Sequence, residues 1–320
     1  LTAGAVVSIA STGYFEVDEQ GQERIVGGNV TIEPDAMITG PDGSVANIDL
    51  RAQEVLAIRA DLTADESFKL FAGNTIHGPG RLSAPEMTAD AGDGINLRTD
   101  VESVDASVHR TGDLVLDDAS DITLAEVAAV DGSVIVGSEG TIRAMNVQVL
   151  ADNPGNSIEL TSRAGDVEVG NVQTGRQHGH VVFDSANRLR EIVETDPDID
   201  VTAYSGYWKA LYEIGDSLNP ERNIEFDIQD LVIDAHDLIL DTTGDITLNI
   251  NLQGIADVRT TGDITIGNLT TVGDTVSLVS TDGNIYIDHM RVGENGDGTV
   301  TLDAADSILE LGPEDGEVDL

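Results

Sequence analysis

The stretch from Asp237 to Ile287 repeats one short phrase, and this repeat decides the fold. Residues 243–248 have the sequence Thr-Gly-Asp-Ile-Thr-Leu, residues 261–266 have Thr-Gly-Asp-Ile-Thr-Ile, and residues 282–287 have Asp-Gly-Asn-Ile-Tyr-Ile. Glycine accepts the positive φ of a tight turn, and Asp or Asn hydrogen-bonds the local backbone. The apolar/polar/apolar triplet that follows alternates between two faces, as a β-strand with one buried face requires. Strands this short are not stable alone, so the repeat predicts that they stack.

The spacing of the copies predicts the length of one coil. Leu114 and Val134 occupy equivalent positions in successive copies, and Ile122 and Ile142 are separated by the same interval. Two or three strands in a period of ~20 residues are typical of one coil of a parallel β-helix, or β-solenoid. The alternative is an antiparallel β-sandwich or a β-propeller, which usually has an aromatic core and two-residue hairpin turns. We therefore predict an all-β fold with a parallel β-helix.

The composition favours thin aliphatic layers. The chain has 320 residues, of which 40% are hydrophobic but only 3% are aromatic. At roughly 25 cal/mol per Å² of buried apolar area, stacked Val, Ile and Leu side chains supply the driving force without an aromatic cluster. The chain contains no cysteine, which excludes disulfides and thiol chemistry.

The net charge restricts the classes of partner. The chain carries 59 acidic and 16 basic residues, for a formal charge of −43. Such a surface repels phosphate backbones and anionic membranes, so nucleic acid is excluded as a partner. A saline or calcium-rich medium would screen or bridge the carboxylates, which favours an extracellular location at the cell surface. No apolar run approaches the ~20 residues of a transmembrane helix, so none is predicted.

The repeat pattern divides the chain into five segments. We predict an irregular N-terminal end or cap at 1–27, a β-solenoid at 28–183 that continues at 223–311, and an acidic tail or linker at 312–320. The pattern breaks between 184 and 222, which predicts a lateral insertion from the solenoid wall.

The predicted insertion concentrates aromatic residues. A helix-capping start at Asp184 predicts that it is partly helical. Exposed aromatic rings stack on sugars or form hot spots at protein interfaces, whereas packed rings would form a small core for the insertion itself. The first interpretation predicts a partner- or glycan-binding site at Tyr204, Tyr207, Trp208 and Tyr212.

The same segment contains a candidate calcium site. Three carboxylates alternate along an extended stretch and would point to one side, at Asp196, Asp198 and Asp200. Ca²⁺ prefers several hard oxygen ligands, so this stretch predicts a Ca²⁺ cradle; the alternative is a solvated acidic loop. The spacing is not that of an EF-hand loop, because Val201 stands where the loop glycine would be and Tyr207 where its last glutamate would be.

The recurring Gly-Asp-Ile-Thr-Leu phrases resemble the repeats of filamentous-haemagglutinin-like exoproteins and other bacterial β-strand-repeat adhesins. The resemblance covers about 28–183 and 223–311, and it implies a right-handed β-helix, secretion and a structural role in an extracellular fibre, surface layer or adhesin stalk. It implies partners among copies of the chain itself, surface glycans or host and cell-surface proteins.

The resemblance supplies no catalytic residue, so we expect a protein that is not an enzyme. The alternative is a β-helix polysaccharide-degrading hydrolase or lyase. A lyase needs basic residues to hold an acidic glycan, and this chain has only two lysines.

Overall fold

The computed structural model describes residues 6–11, 14–17, 23–26, 28–36, 45–192, 199–216, 224–273, 275–293 and 298–311. Among these residues all regular structure is β-strand and no helix is present. The strands are β1 Val6–Ser11, β2 Tyr14–Val17, β3 Glu23–Val26, β4 Val30–Ile32, β5 Asn47–Ala52, β6 Val55–Ile58, β7 Leu62–Thr63, β8 Ser67–Ala72, β9 Thr75–Ala91, β10 Gly94–Thr111, β11 Leu114–Asp118, β12 Ile122–Asp131, β13 Val134–Ser138, β14 Ile142–Val149, β15 Ser157–Ser162, β16 Val167–Gln173, β17 His180–Ser185, β18 Arg188–Glu191, β19 Val201–Ala210, β20 Glu213–Ile214, β21 Phe226–Ala235, β22 Asp237–Thr242, β23 Ile246–Leu252, β24 Ala256–Thr260, β25 Ile264–Thr271, β26 Thr275–Ser280, β27 Ile285–Val292, β28 Thr299–Ala304 and β29 Ile308–Glu310.

The strands stack into two continuous parallel walls. The first wall contains β1, β5 and β8, then the even-numbered strands from β10 to β28 that follow one another by parallel pairing. The second wall begins with β4 and β6 and continues through the odd-numbered strands from β11 to β29. The long strands β9 and β10 turn the corner and contribute to both walls. This arrangement is a β-solenoid of about 12 turns, which confirms the fold predicted from the repeat; its handedness stays a prediction.

The coil length varies along the axis. Leu114 pairs with Val134, one period further on, as the sequence predicts. The coils then become longer in sequence. Ser205 lies beside His180 and Glu225 beside Asp200, each 25 residues further on. The coils become shorter again where Asn251 pairs with Asp234, an advance of only 17 residues.

The core is a set of aliphatic ladders between the walls. In the second wall Leu114, Val134, Ile158 and Val181 stack directly on one another, and each is 0% exposed. Alternate residues of each strand point outward, so the burial pattern of β11 and β13 is strictly alternating. Each ladder therefore buries the apolar position of the repeated phrase, coil after coil.

Of the three glycines in the quoted phrase, at positions 244, 262 and 283, only Gly244 has the predicted positive φ. Gly244 has a φ of 84°, which lies in the left-handed region that favours glycine. Gly262 lies over it in the next coil, and a Cβ at this position would overlap the Gly244 carbonyl carbon. Gly244 is therefore needed for the backbone conformation of its turn, and Gly262 is needed for the coils to stack closely at this corner.

The prediction of a partly helical insertion at 184–222 is wrong for the described residues. β18, β19 and β20 lie within the two walls and pair in parallel with the coils on either side. The alternation is present but hidden: Trp208 and Ala210 point inward, while Tyr207 and Lys209 point outward. The coil here is longer than the ~20-residue period of the preceding copies and has an aromatic residue inside. The repeat is therefore hard to recognise in the sequence, although the chain stays in the solenoid.

The N-terminal end of the chain also differs from the predicted segment. β1 pairs with β5 and so belongs to the first wall, whereas the sequence predicts an irregular segment at 1–27. β2 and β3 form a separate antiparallel pair. The acidic tail at 312–320 lies outside the described residues.

Candidate functional site

The four aromatic residues predicted to form one site are separated by the alternation of β19 and the corner after it. Trp208 is 0% exposed, whereas Tyr204 is 41% exposed and Tyr212 is 55% exposed. Tyr207 is partly exposed on the outer face of β19. The four rings therefore do not form one stacking surface.

Trp208 belongs to the core of the coils that advance by 25 residues. Its ring centroid lies 5.7 Å from that of Phe183 in the coil before and 5.2 Å from that of Phe226 in the coil after. These are the separations at which aromatic pairs attract beyond their buried area. The three rings pack together in the interior of these coils, which is the structural reason for a tryptophan at position 208.

Tyr212 is the predicted aromatic residue that lines a groove. It lies at the corner between β19 and β20, where its N–H donates to the Asn187 carbonyl at 3.0 Å and its carbonyl accepts from the Asp237 N–H at 2.8 Å. The corners of three successive coils are thus stacked here. They form a surface groove of about 600 Å³ lined by Asn187, Arg188, Tyr212, Glu213, His236 and Asp237.

The groove contains charged groups held in fixed positions. Arg188, Glu213 and Asp237 are in register in three stacked strands. The Arg188 Nε lies 3.9 Å from the Glu213 Oε2, and the His236 Nδ1 lies 3.1 Å from the Asp237 Oδ2. The Asp237 Oδ1 accepts a hydrogen bond from the Ile255 N–H at 2.9 Å. One aromatic face and several planar polar groups therefore converge on one depression.

The predicted calcium cradle is described only in part. Asp196 and Asp198 lie outside the described residues. Asp200 is described, is 3% exposed and lies beside Glu191 and Glu225 rather than in an open loop. The carboxylate atoms of these three residues lie within 4.8 Å of one another, so they could hold a cation.

The coil register brings this acidic cluster together. Glu191 ends β18, while Asp200 and Glu225 immediately precede β19 and β21 one coil apart. The Glu225 N–H donates to the Asp200 Oδ2 at 3.1 Å, and the Asp200 N–H donates to the Glu225 carbonyl at 2.9 Å. Burial, and secondarily the neighbouring carboxylates, raises the pKa of Asp200 to about 9. The cluster therefore retains a proton at neutral pH unless a cation replaces it.

Many other aspartates connect one coil to the next. Asp113 accepts a hydrogen bond from the Ser133 N–H at 2.8 Å, and Asp121 accepts one from the Thr141 N–H at 2.7 Å. Asp245 and Asp263 do the same for the coils after them, at 2.9 and 2.7 Å. These turn carboxylates satisfy backbone N–H groups that the wall strands leave free. Part of the acidity of the chain thus has a structural cause.

Sequence reasoning missed the acidic cluster and the groove, because neither is a local motif. Asp200 and Glu225 are 25 residues apart, and the groove residues Asn187, Tyr212 and His236 are separated by similar intervals. The signal that could have found them is the local coil length, since side chains one coil apart become neighbours.

No known protein family, no curated protein and no solved structure matches this chain. The described residues contain no helix with the length and apolar character needed to cross a membrane. Function is therefore inferred from the fold and the surface.

Proposed function

We propose that this protein is a secreted structural and adhesive β-solenoid that forms part of an extracellular fibre, surface layer or adhesin stalk. In this role the rod of stacked coils is the functional unit, and copies of the chain associate with one another. The resemblance of its repeats to bacterial exoproteins and the strongly acidic surface agree with a place outside the cell.

The observation that carries this proposal is the continuous stack of about 12 parallel turns, whose last described coil leaves apolar side chains exposed. β28 and β29 pair with β26 and β27, and no further described strand covers their other edge. Val300 is 37% exposed although its ladder neighbour Val276 is 0% exposed, and Ile308 is 50% exposed although Ile285 is 0% exposed. Exposed strand edges with apolar side chains are templates for further pairing. A coil that follows the last described one, in the same chain or in a second copy, would bury these side chains and pair with the strand edges.

In this proposal Ca²⁺ is the ion that allows copies of the chain to associate. A charge of −43 opposes the approach of two copies, and Ca²⁺ both screens and bridges carboxylates. Within the chain, the acidic cluster of Glu191, Asp200 and Glu225 is the candidate place for a bound cation.

The polysaccharide-degrading alternative is less well supported by the same cluster. Adjacent carboxyls with a raised pKa are typical of glycosidase acids. Glu191 and Asp200 are each 3% exposed, however, so a polymer cannot reach them without rearrangement of the coil. A non-catalytic role is therefore the proposal that we prefer.

Light scattering and sedimentation of the purified chain test this proposal. We expect the particle mass to increase with protein concentration in high salt or millimolar Ca²⁺, and to return to that of a single chain when a chelator is added at low salt. A chain that remains monomeric under all these conditions would contradict the proposal.

A further inference from the structure

The groove around Tyr212 consists of two columns of side chains that cross three coils. One column contains Asn187, Tyr212 and His236, and the other contains the charged residues Arg188, Glu213 and Asp237. Backbone hydrogen bonds between the corners fix the spacing of the columns. The two columns therefore present a regular series of polar groups on both sides of an exposed tyrosine ring.

Several polar groups of the groove are held before any ligand arrives. Glu213 is only 6% exposed although it is charged, and it faces the Arg188 guanidinium. The Asp237 carboxylate is fixed by the Ile255 N–H and contacts the His236 ring. Gly254 leaves room for both, because a Cβ there would overlap the Asp237 Oδ1 and lie 2.9 Å from the His236 Nδ1. Groups held in this way lose little conformational freedom when they bind a ligand.

We propose that this groove binds a neutral saccharide chain. A sugar ring has one apolar face, which can stack on an aromatic ring, and a rim of hydroxyls that both donate and accept hydrogen bonds. Tyr212 supplies the exposed ring, at 55% exposure. Carboxylates, an amide, an imidazole and a guanidinium supply planar donors and acceptors along the rim. The proposal rests on the adhesive part of the proposed function and names the ligand class that this part would recognise.

The charges of the groove favour a neutral sugar over an acidic one. Two carboxylates, Glu213 and Asp237, outnumber the single guanidinium of Arg188, and the whole chain carries −43. An acidic glycan would be repelled both locally and over long range.

The strands beside the groove argue against a peptide ligand. An extended peptide usually adds to an unpaired strand edge. β18, β20 and β22 are each paired on both sides, so this part of the wall offers no free edge.

Calorimetric titration with cellohexaose, mannohexaose and chitohexaose tests the proposal, with oligogalacturonate and an oligolysine peptide as comparison probes. We expect at least one neutral hexasaccharide to bind the wild-type chain. Tyr212→Ala should weaken that binding about tenfold or more, since a stacked ring is lost. Tyr212→Phe, which keeps the ring, should bind close to the wild-type affinity, and Glu213→Gln should weaken binding through its lost charge.

Tyr204→Ala is the matched control, because Tyr204 is an exposed tyrosine of the same strand region that lies outside the groove. It should leave binding unchanged. The proposal is overturned if no neutral hexasaccharide binds, if the two alanine variants lose binding equally, or if only the peptide binds.

Light scattering of Tyr212→Ala separates this site from self-association. Normal assembly of a variant that has lost sugar binding supports the groove as a separate site. Sugar binding by a chain that never assembles also supports the groove, but it contradicts the fibre role.

Discussion

At the scale of single residues, three stacked rings stabilise the longest coils of the solenoid. Phe183, Trp208 and Phe226 come from three successive coils, and all three are at most 1% exposed. All three occupy the interior space between the walls, in coils that advance by 25 residues. Large aromatic side chains fill that space and add the favourable geometry of tilted and edge-to-face pairs.

Trp208→Ala should therefore destabilise the middle coils by about 3–5 kcal/mol, the usual cost of removing a buried large aromatic side chain. Denaturant unfolding measures the loss, and amide hydrogen exchange locates it in β17, β19 and β21. Tyr204→Ala, which truncates an exposed ring, should change stability by less than about 0.5 kcal/mol. Equal losses in the two variants would show that Trp208 is not a core residue.

The buried carboxyl of Asp200 predicts a pH dependence of stability. Its folded-state pKa of about 9 lies above the ordinary value, because burial disfavours the charged form. The folded state therefore holds this proton more tightly than the unfolded state, so the contribution to stability is present below about pH 4 and is lost as pH rises through about 9. Asp200→Asn keeps a neutral side chain and should remove this loss.

Unfolding free energies between pH 4.5 and 8.5 measure this effect. We expect Asp200→Asn to be more stable than the wild type at pH 8.5 by more than about 1.4 kcal/mol, the value of one pKa unit, and to differ little at pH 4.5. Asp257→Asn, at an exposed position of β24, controls for the general effect of removing one negative charge. Parallel pH curves for all three proteins would refute the assignment.

At the scale of elements, the turn between two strands carries as much information as the strands. The Asp of the repeated phrase accepts a backbone hydrogen bond from the coil above, as Asp245 does from the Asp263 N–H. The buried hydroxyl that ends the preceding strand reaches the coil below: the Thr260 Oγ1 donates to the Gly244 carbonyl at 2.6 Å. Each turn is thus connected to both of its neighbours.

Asp263→Ala tests this connection, because Asp263 accepts both the backbone and the side-chain N–H of Asn284 at 2.7 and 3.1 Å. The lost acceptor should cost about 1–3 kcal/mol of stability, and the Asn284 amide should exchange faster. Asp263→Asn keeps a carbonyl acceptor and should lose less. If Asp257→Ala, on the exposed face of a strand, is equally harmful, the turn carboxylates have no special role.

The elements also show how far the sequence could predict the structure. The phrase around Gly244 and Gly262 predicts turn, strand and burial together, because turn chemistry and alternation agree there. The region of β18 to β20 instead reads as an insertion in the sequence, since a longer coil and an inward Trp208 obscure the same alternation. The acidic cluster and the Tyr212 groove are formed by side chains one coil apart. Predicting them requires the register between coils, which the sequence alone does not give where the coil length changes.

At the scale of the whole molecule, the described coils form a strongly charged rod, and the last described coil has an apolar face. About 12 turns, each ~4.8 Å above the last, give a length of ~60 Å. The sides carry the net negative charge, whereas the last described coil exposes Val300, Ile308, Leu309 and Leu311. Repulsion between the sides and attraction at the end together favour association along the axis rather than across it.

Electron microscopy of the purified chain in high salt or Ca²⁺ tests end-to-end association most directly. We expect filaments one solenoid wide and longer than a single ~60 Å rod. Ile308→Asp should shorten them to single rods, since it places a charge on the apolar face of the last described coil. Thr301→Asp, which adds the same charge on the outer face of β28, should leave their length unchanged. Single rods for the wild-type chain at every salt and Ca²⁺ concentration, or filaments unaffected by Ile308→Asp, would contradict end-to-end association.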